Sequence, residues 1–148
     1  MIQRAQSIFL AVVAICMALV ISFPIWSKAN SQQSIKMTAI SFSTNQSTIF
    51  ILIFAIIAAI LAIYSLLSFK NRKRQMLLGA IISMIIAISM GFIFYYIIKV
   101  GRPAFDPEIE GNYELGFYAG GLGLLANMIA NRFIRRDENL VRSSDRMR

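Results

Sequence analysis

Asp106, Glu108, Glu110 and Glu114 form the one concentration of acidic side chains outside the C-terminal tail. Carboxylate oxygens of this kind suit calcium or magnesium. Their spacing fits no known calcium-loop pattern, and they share their segment with Pro103, Pro107 and Gly111-Asn112, which mark a water-exposed turn. A solvated loop is therefore preferred over a metal site, and no cofactor is expected. The chain contains no histidine, which excludes bis-histidine haem and histidine metal triads. Its single cysteine, Cys16, excludes an intramolecular disulfide and a dithiol relay. There is no Gly-rich phosphate loop and no Ser-based triad, so no enzymatic activity is expected.

The elements that would position any site are apolar to an unusual degree. Hydrophobic residues make up 57% and charged residues 15% of the 148 positions, against roughly 45–50% and 25% in soluble proteins. The apolar residues gather into uncharged runs near the ~20 residues a helix needs to cross a bilayer. The expectation is an all-α membrane protein, one integral domain over residues 1–148. Four transmembrane helices, at about 7–26, 49–69, 76–98 and 115–131, form a four-helix bundle, and a basic amphipathic helix follows at 132–148. Ser27-Lys28-Ala29 loosely imitates a signal-peptide cleavage site. The run before it is longer than such peptides carry and only Arg4 charges its start, so the first span is read as retained. Pro24 and Trp26 look like its interfacial end. Between the first two spans, Ile35, Met37, Ile40 and Phe42 alternate in a broken pattern compatible with a short hairpin. An irregular loop on the membrane surface is the preferred reading.

Charge gives an orientation. Arg4, the basic turn Lys70, Arg72, Lys73, Arg74, and the six tail arginines place eleven positive charges on one side, against Lys28, Lys36, Lys99 and Arg102 on the other. Short cytoplasmic segments carry the excess, so both termini are expected in the cytoplasm and the protein in a bacterial inner membrane. This bias also accounts for the net charge of +8, and nucleic acid is not expected as a partner.

Small residues let membrane helices approach closely. The third span carries Gly79, Ser83, Ala87 and Gly91 four apart, and the fourth carries Gly116, Gly120, Gly123 and Asn127, with Ala119 and Asn131 beside them. The first offers Ala14, Ala18 and Ser22, the second Ala55, Ala58, Ala59 and Ala62. These are expected as helix-packing positions, with a face for a second membrane protein or a second copy left open. Asn127 is the most polar side chain well inside a span, where an interhelical hydrogen bond is expected ahead of a substrate contact.

In the tail, Phe133, Leu140 and Met147 recur every seven residues, with Ile134 and Val141 beside them. On a helix they form one apolar seam, and Glu138 and Arg142 stand in a favourable i, i+4 pair. Arg135, Arg136, Asp137, Glu138, Leu140, Val141, Arg142, Asp145 and Arg146 are the candidate surface for anionic lipid or a cytoplasmic partner.

The two ends also carry a resemblance. Met1-Ile2-Gln3-Arg4-Ala5-Gln6-Ser7-Ile8-Phe9-Leu10 at the start and Arg135-Arg136-Asp137-Glu138, Leu140-Val141-Arg142-Ser143 and Asp145-Arg146-Met147-Arg148 at the end resemble the uncharacterised membrane-protein family catalogued as domain of unknown function 4293, typical of Bacteroidetes. The resemblance implies a four-span inner-membrane protein and brings no activity, cofactor or partner with it. The leading expectation is a non-enzymatic accessory or scaffold protein that presents its tail. The alternative is a small transporter or channel-like protein using the glycine/asparagine face of the fourth span, and a lipid-modifying enzyme at the acidic loop ranks third.

Overall fold

Uncharged stretches of Ile, Leu, Ala and Phe, free of internal proline, satisfy every backbone group within their own segment as helices. The computed structural model describes residues 2–29, 34–42, 46–68, 72–103 and 111–145, and it is mostly helical. Helix α1 spans Ile2–Ser22, α2 Ile49–Leu67, α3 Arg72–Tyr96 and α4 Leu115–Asp145. Two stretches, Ile49–Leu67 and Arg74–Gly101, are long and apolar enough to cross a membrane, and Gln6–Ser22 is a shorter apolar helix. The helices pack in a ring, with α1 against α4 and α2, and α3 against α2 and α4.

The interior mixes alanines with larger apolar side chains. Ala55, Ala58, Ala62, Ala126 and Ala130 are buried with Val13, Ile82 and Ile86. Other large apolar side chains point outward: Ile53, Ile60 and Leu67 on α2, Leu77 and Met84 on α3, Leu122, Leu125 and Met128 on α4, Ile8 and Ile15 on α1. A continuous apolar exterior of this kind marks an interaction with membrane or protein.

The other end of the ring is closed by a small sheet. Pro24, which has no amide to donate, ends α1 after the Phe23 amide bonds the Leu19 carbonyl at 2.9 Å. Strands β1 (Trp26–Ala29), β2 (Ser34–Met37), β3 (Ser41–Phe42), β4 (Gln46–Ser47) and β5 (Asn112–Tyr113) pair in the order β4-β3-β2-β1-β5. Trp26 lies opposite both Met37 and Tyr113, and Lys28 opposite Ile35. Pairs directly opposite share a face, so Trp26, Lys28, Ile35 and Met37 form the buried one. The irregular loop expected from the sequence is thus a sheet in its described part, because the alternation at Ile35 and Met37 pairs with a matching one at Trp26 and Lys28. Ile40 falls outside that alternation and is exposed, with Ala39 buried in its place.

Trp26 is not a helix end. It opens β1, is 2% exposed, and lies against Gly101 and Gly111. Gly101 closes a π-helical turn, Ile97–Gly101, in which the Arg102 amide bonds the Ile97 carbonyl at 2.8 Å. Beside it the Lys28 ammonium donates to the Arg102 carbonyl at 3.1 Å, and the Ser27 hydroxyl to Glu114 Oε1 at 2.6 Å. The Glu114 amide donates to the Ile25 carbonyl at 3.0 Å, which ties the start of α4 to the end of α1.

A methyl group at Gly111 would run into the Trp26 indole, whereas one at Gly121 would meet nothing within 4 Å. Gly111→Ala is expected to cost about 1–3 kcal/mol through overpacking. Gly121→Ala is expected to be neutral or slightly stabilising, since alanine is the better helix former. Thermal unfolding of the two variants in detergent checks the contrast.

Candidate functional site: the seam between α3 and α4 and its basic end

Helix α4 runs antiparallel to α1. Gly116 lies beside Pro24, Gly120 beside Val20, Gly123 beside Met17 and Cys16, and the Phe133 and Phe9 rings stack at 5.6 Å. The glycines follow one another at intervals of four, three and, on to Asn127, four residues. That mean is close to the 3.6 of the helix, so all four stay on one face. A Cβ at Gly116 would sit 2.8 Å from the Pro24 carbonyl oxygen, at Gly120 2.7 Å from Met90 Sδ, and at Gly123 2.8 Å from Met17 Cε. Gly116 therefore lies close against backbone, and Gly120 and Gly123 lie against the ends of methionine side chains.

The stripe on α3 fares differently. A strict four-residue interval gains about 40° of rotation per step against the helical period. Gly79 and Ser83 face α4, Ala87 is exposed at the edge of the seam, and Gly91 has open space where a side chain would stand. The expectation that Ala87 and Gly91 pack helices is corrected by that rotation. The same drift leaves Ala18 and Ser22 of α1 exposed.

Asn127 is 0% exposed. Its amide donates to the Gly79 carbonyl at 2.8 Å and to Ser83 Oγ at 2.7 Å. A helical carbonyl already accepts from the amide four residues on, so this second bond requires α4 to lie very close, as the missing side chain of Gly79 permits. Asn131, one turn later, lies directly over Gly79. A second polar contact lies towards the same end, where Gln75 Nε2 donates to the Ser65 carbonyl at 3.2 Å. The sequence pattern singled out Asn127 but not Gln75. Its only signal was position: an uncharged polar residue just past the basic turn reads equally well as solvated.

Towards this end, where α3 begins and α4 ends, the seam opens into a groove of about 620 Å³. Ala80, Ser83, Met84 and Ala87 form one wall and Leu124, Met128, Asn131, Arg132 and Arg135 the other. Among the described residues, Arg132, Arg135, Arg136, Asn139 and Leu140 line a second hollow of about 530 Å³. The helix expected to follow the fourth span is thus unbroken with it, since α4 runs on to Asp145. Ile134 is buried and Phe133 half-buried, while Arg135, Arg136 and Leu140 are exposed. Of the expected seam, Phe133 stacks on Phe9 of α1 and Ile134 is buried, while Leu140 is exposed. Asp137 and Glu138 are half-buried. Arg146, and the side chains of Val141, Arg142 and Asp145, lie outside the described residues. So do Asp106, Glu108 and Glu110. Among the described residues no three His, Cys, Asp or Glu side chains gather as a metal site.

Asn127→Leu removes both cross-seam bonds and is expected to cost about 0.6–2 kcal/mol. Gly91→Leu, with open space at its Cβ, is expected to leave stability unchanged. Unfolding titrations with a denaturing detergent distinguish the two. Compared with known proteins, the chain matches a family model described as Domain of unknown function (DUF4293) over residues 2–147. No curated protein and no solved structure matches it.

Proposed function

The chain belongs to the DUF4293 family of domains of unknown function, and we propose that it is a non-enzymatic accessory protein of the inner membrane. In this reading its four helices all span the bilayer, both termini are cytoplasmic, and α4 carries a basic arm to a cytoplasmic or membrane partner. The observation that carries it is the continuity of α4 from the helix ring into the arginine-bearing segment. Burial of Ile134 and stacking of Phe133 on Phe9 fix that segment relative to the other helices. A rigid arm holds its charges at a set height above the membrane, which a flexible tail would not. The excess of positive charge at this end supports the cytoplasmic orientation. Of the glycine and asparagine face of α4 that a small transporter would use for a path, Gly120, Gly123 and Asn127 are taken up by contacts to α1 and α3, while Asn131 borders the groove.

Orientation is tested with a membrane-impermeant thiol reagent on spheroplasts, in a Cys16→Ser background. Ser47→Cys is expected to react directly and Asn139→Cys only after permeabilisation; the reverse pattern overturns the orientation. The role is tested by pull-down from native membranes in mild detergent, comparing the full chain with one truncated after Arg136. The full chain is expected to retain a protein that the truncated one loses. Recovery of both without a partner would remove the scaffold reading and return attention to transport.

A further inference from the structure

The groove between α3 and α4 has a chemistry that its neighbours on the surface lack. Along the middle of α2, α3 and α4 the exposed side chains are mostly apolar, Ile53, Ile60, Ile81, Ile88 and Leu125 among them. Here Met84, Ala87, Leu124 and Met128 form apolar walls, and the groove ends on two guanidinium groups, Arg132 and Arg135, with the Asn131 amide between walls and charges. On α4 these residues follow at intervals of four, three or four, so they share one face for three turns. Both arginines are exposed, and no hydrogen bond or ion pair with another described residue holds either. The site is thus apolar along its length and cationic at one end.

A complementary occupant is apolar along its length and anionic at one end. The dimensions narrow the choice further. At about 620 Å³ the groove would take only about one turn of a helix 10 Å across, which is a poor fit for a transmembrane partner. The volume lies within the range of small-molecule sites. Arginine also matches phosphate oxygens with paired donors, and basic pockets between membrane helices at the cytoplasmic face are a recurring headgroup site.

We propose that this groove binds an anionic diacyl phospholipid, with Arg132 and Arg135 holding the phosphodiester and an acyl chain lying between Ala80, Ala87, Leu124 and Met128. The Asn131 amide donates to a phosphate or ester oxygen at the junction. The inference rests on the membrane placement proposed above, with the basic end of α4 in the cytoplasmic leaflet. It deepens that reading by giving two of the arginines one ligand. Arg136, which stands outside the groove, keeps its place in the exposed arm.

The test is native mass spectrometry of the delipidated full chain, titrated with phosphatidylglycerol or with phosphatidylcholine of the same acyl composition. Phosphatidylglycerol is expected to be retained in preference. Arg132→Gln with Arg135→Gln is expected to weaken its binding roughly thirtyfold, about fivefold for each charge near an anionic lipid, while Lys36→Gln on β2 changes nothing. Ala87→Phe, on the opposite wall and remote from the charges, is expected to weaken retention by filling the acyl slot. It gives an independent reading should the arginine variant fold poorly. Glycerophosphoglycerol, which has the headgroup without the chains, is expected not to compete at equal concentration. Equal retention of the two lipids, selectivity that survives both the arginine and Ala87 variants, or full competition by the chain-free headgroup would each overturn the site. This readout needs no protein partner. A failed pull-down with intact lipid selectivity removes the scaffold and leaves the groove, and the opposite pair of results does the reverse.

Discussion

Everything in the ring of helices depends on how closely α4 can lie against its neighbours, and three missing side chains set that distance. At Gly116 a methyl group would collide with the Phe23 and Pro24 carbonyl oxygens just beyond α1, and at Gly120 and Gly123 it would meet the Met90 and Met17 side chains of α3 and α1. Close approach brings many weak dispersion contacts within range at once. In a membrane, where burial of apolar surface between helices brings little hydrophobic gain, such packing supplies much of the association energy. Glycine lowers helix propensity in water, but within lipid a helix has no better alternative for its backbone groups. Under the proposed membrane placement, the composition that would weaken a soluble helix becomes the means of assembling this one.

The same closeness makes the polar contacts possible. Asn127 reaches a backbone carbonyl of α3 because Gly79 puts nothing in the way, and Ser83 adds a second acceptor on the same face. These bonds fix the register of α3 against α4, since sliding by one turn would strand a buried amide. At the opposite end, Trp26 performs a comparable task with bulk. Its indole fills the space above Gly101 and Gly111 and joins the sheet to the end of α3. One end of the molecule is therefore pinned by a large ring seated on glycines, and the α3–α4 seam by an amide seated over glycine.

Functionally, the basic end of α4 is the feature that the packing does not explain. Ile134 and Phe133 are used in the core, whereas Arg132, Arg135 and Arg136 are displayed on the outside of the same turns. Under the proposed membrane placement these charges stand at the lipid headgroups. There the groove wall and the exposed arm give them two separate surfaces, one facing lipid tails and one facing water.

Much of this was legible in the sequence. The helices, their order and the continuity of the fourth into a basic segment follow from runs of uncharged apolar residues and from a seven-residue seam, both local properties of the chain. The α4 glycines were legible as a packing face because their spacing keeps step with the helix. Which half of the α3 stripe packs was not legible: Gly79 and Gly91 have the same type and belong to the same repeat, and only the line of contact with α4 decides between them. The sheet was half-legible, since an alternating pattern in one segment acquires meaning only when a second segment pairs with it. The burial of Trp26, the Gln75 contact and the arginine-ended groove were decided by tertiary structure alone. Each is made by residues far apart in the chain, and a sequence records what a side chain is without recording what stands opposite it.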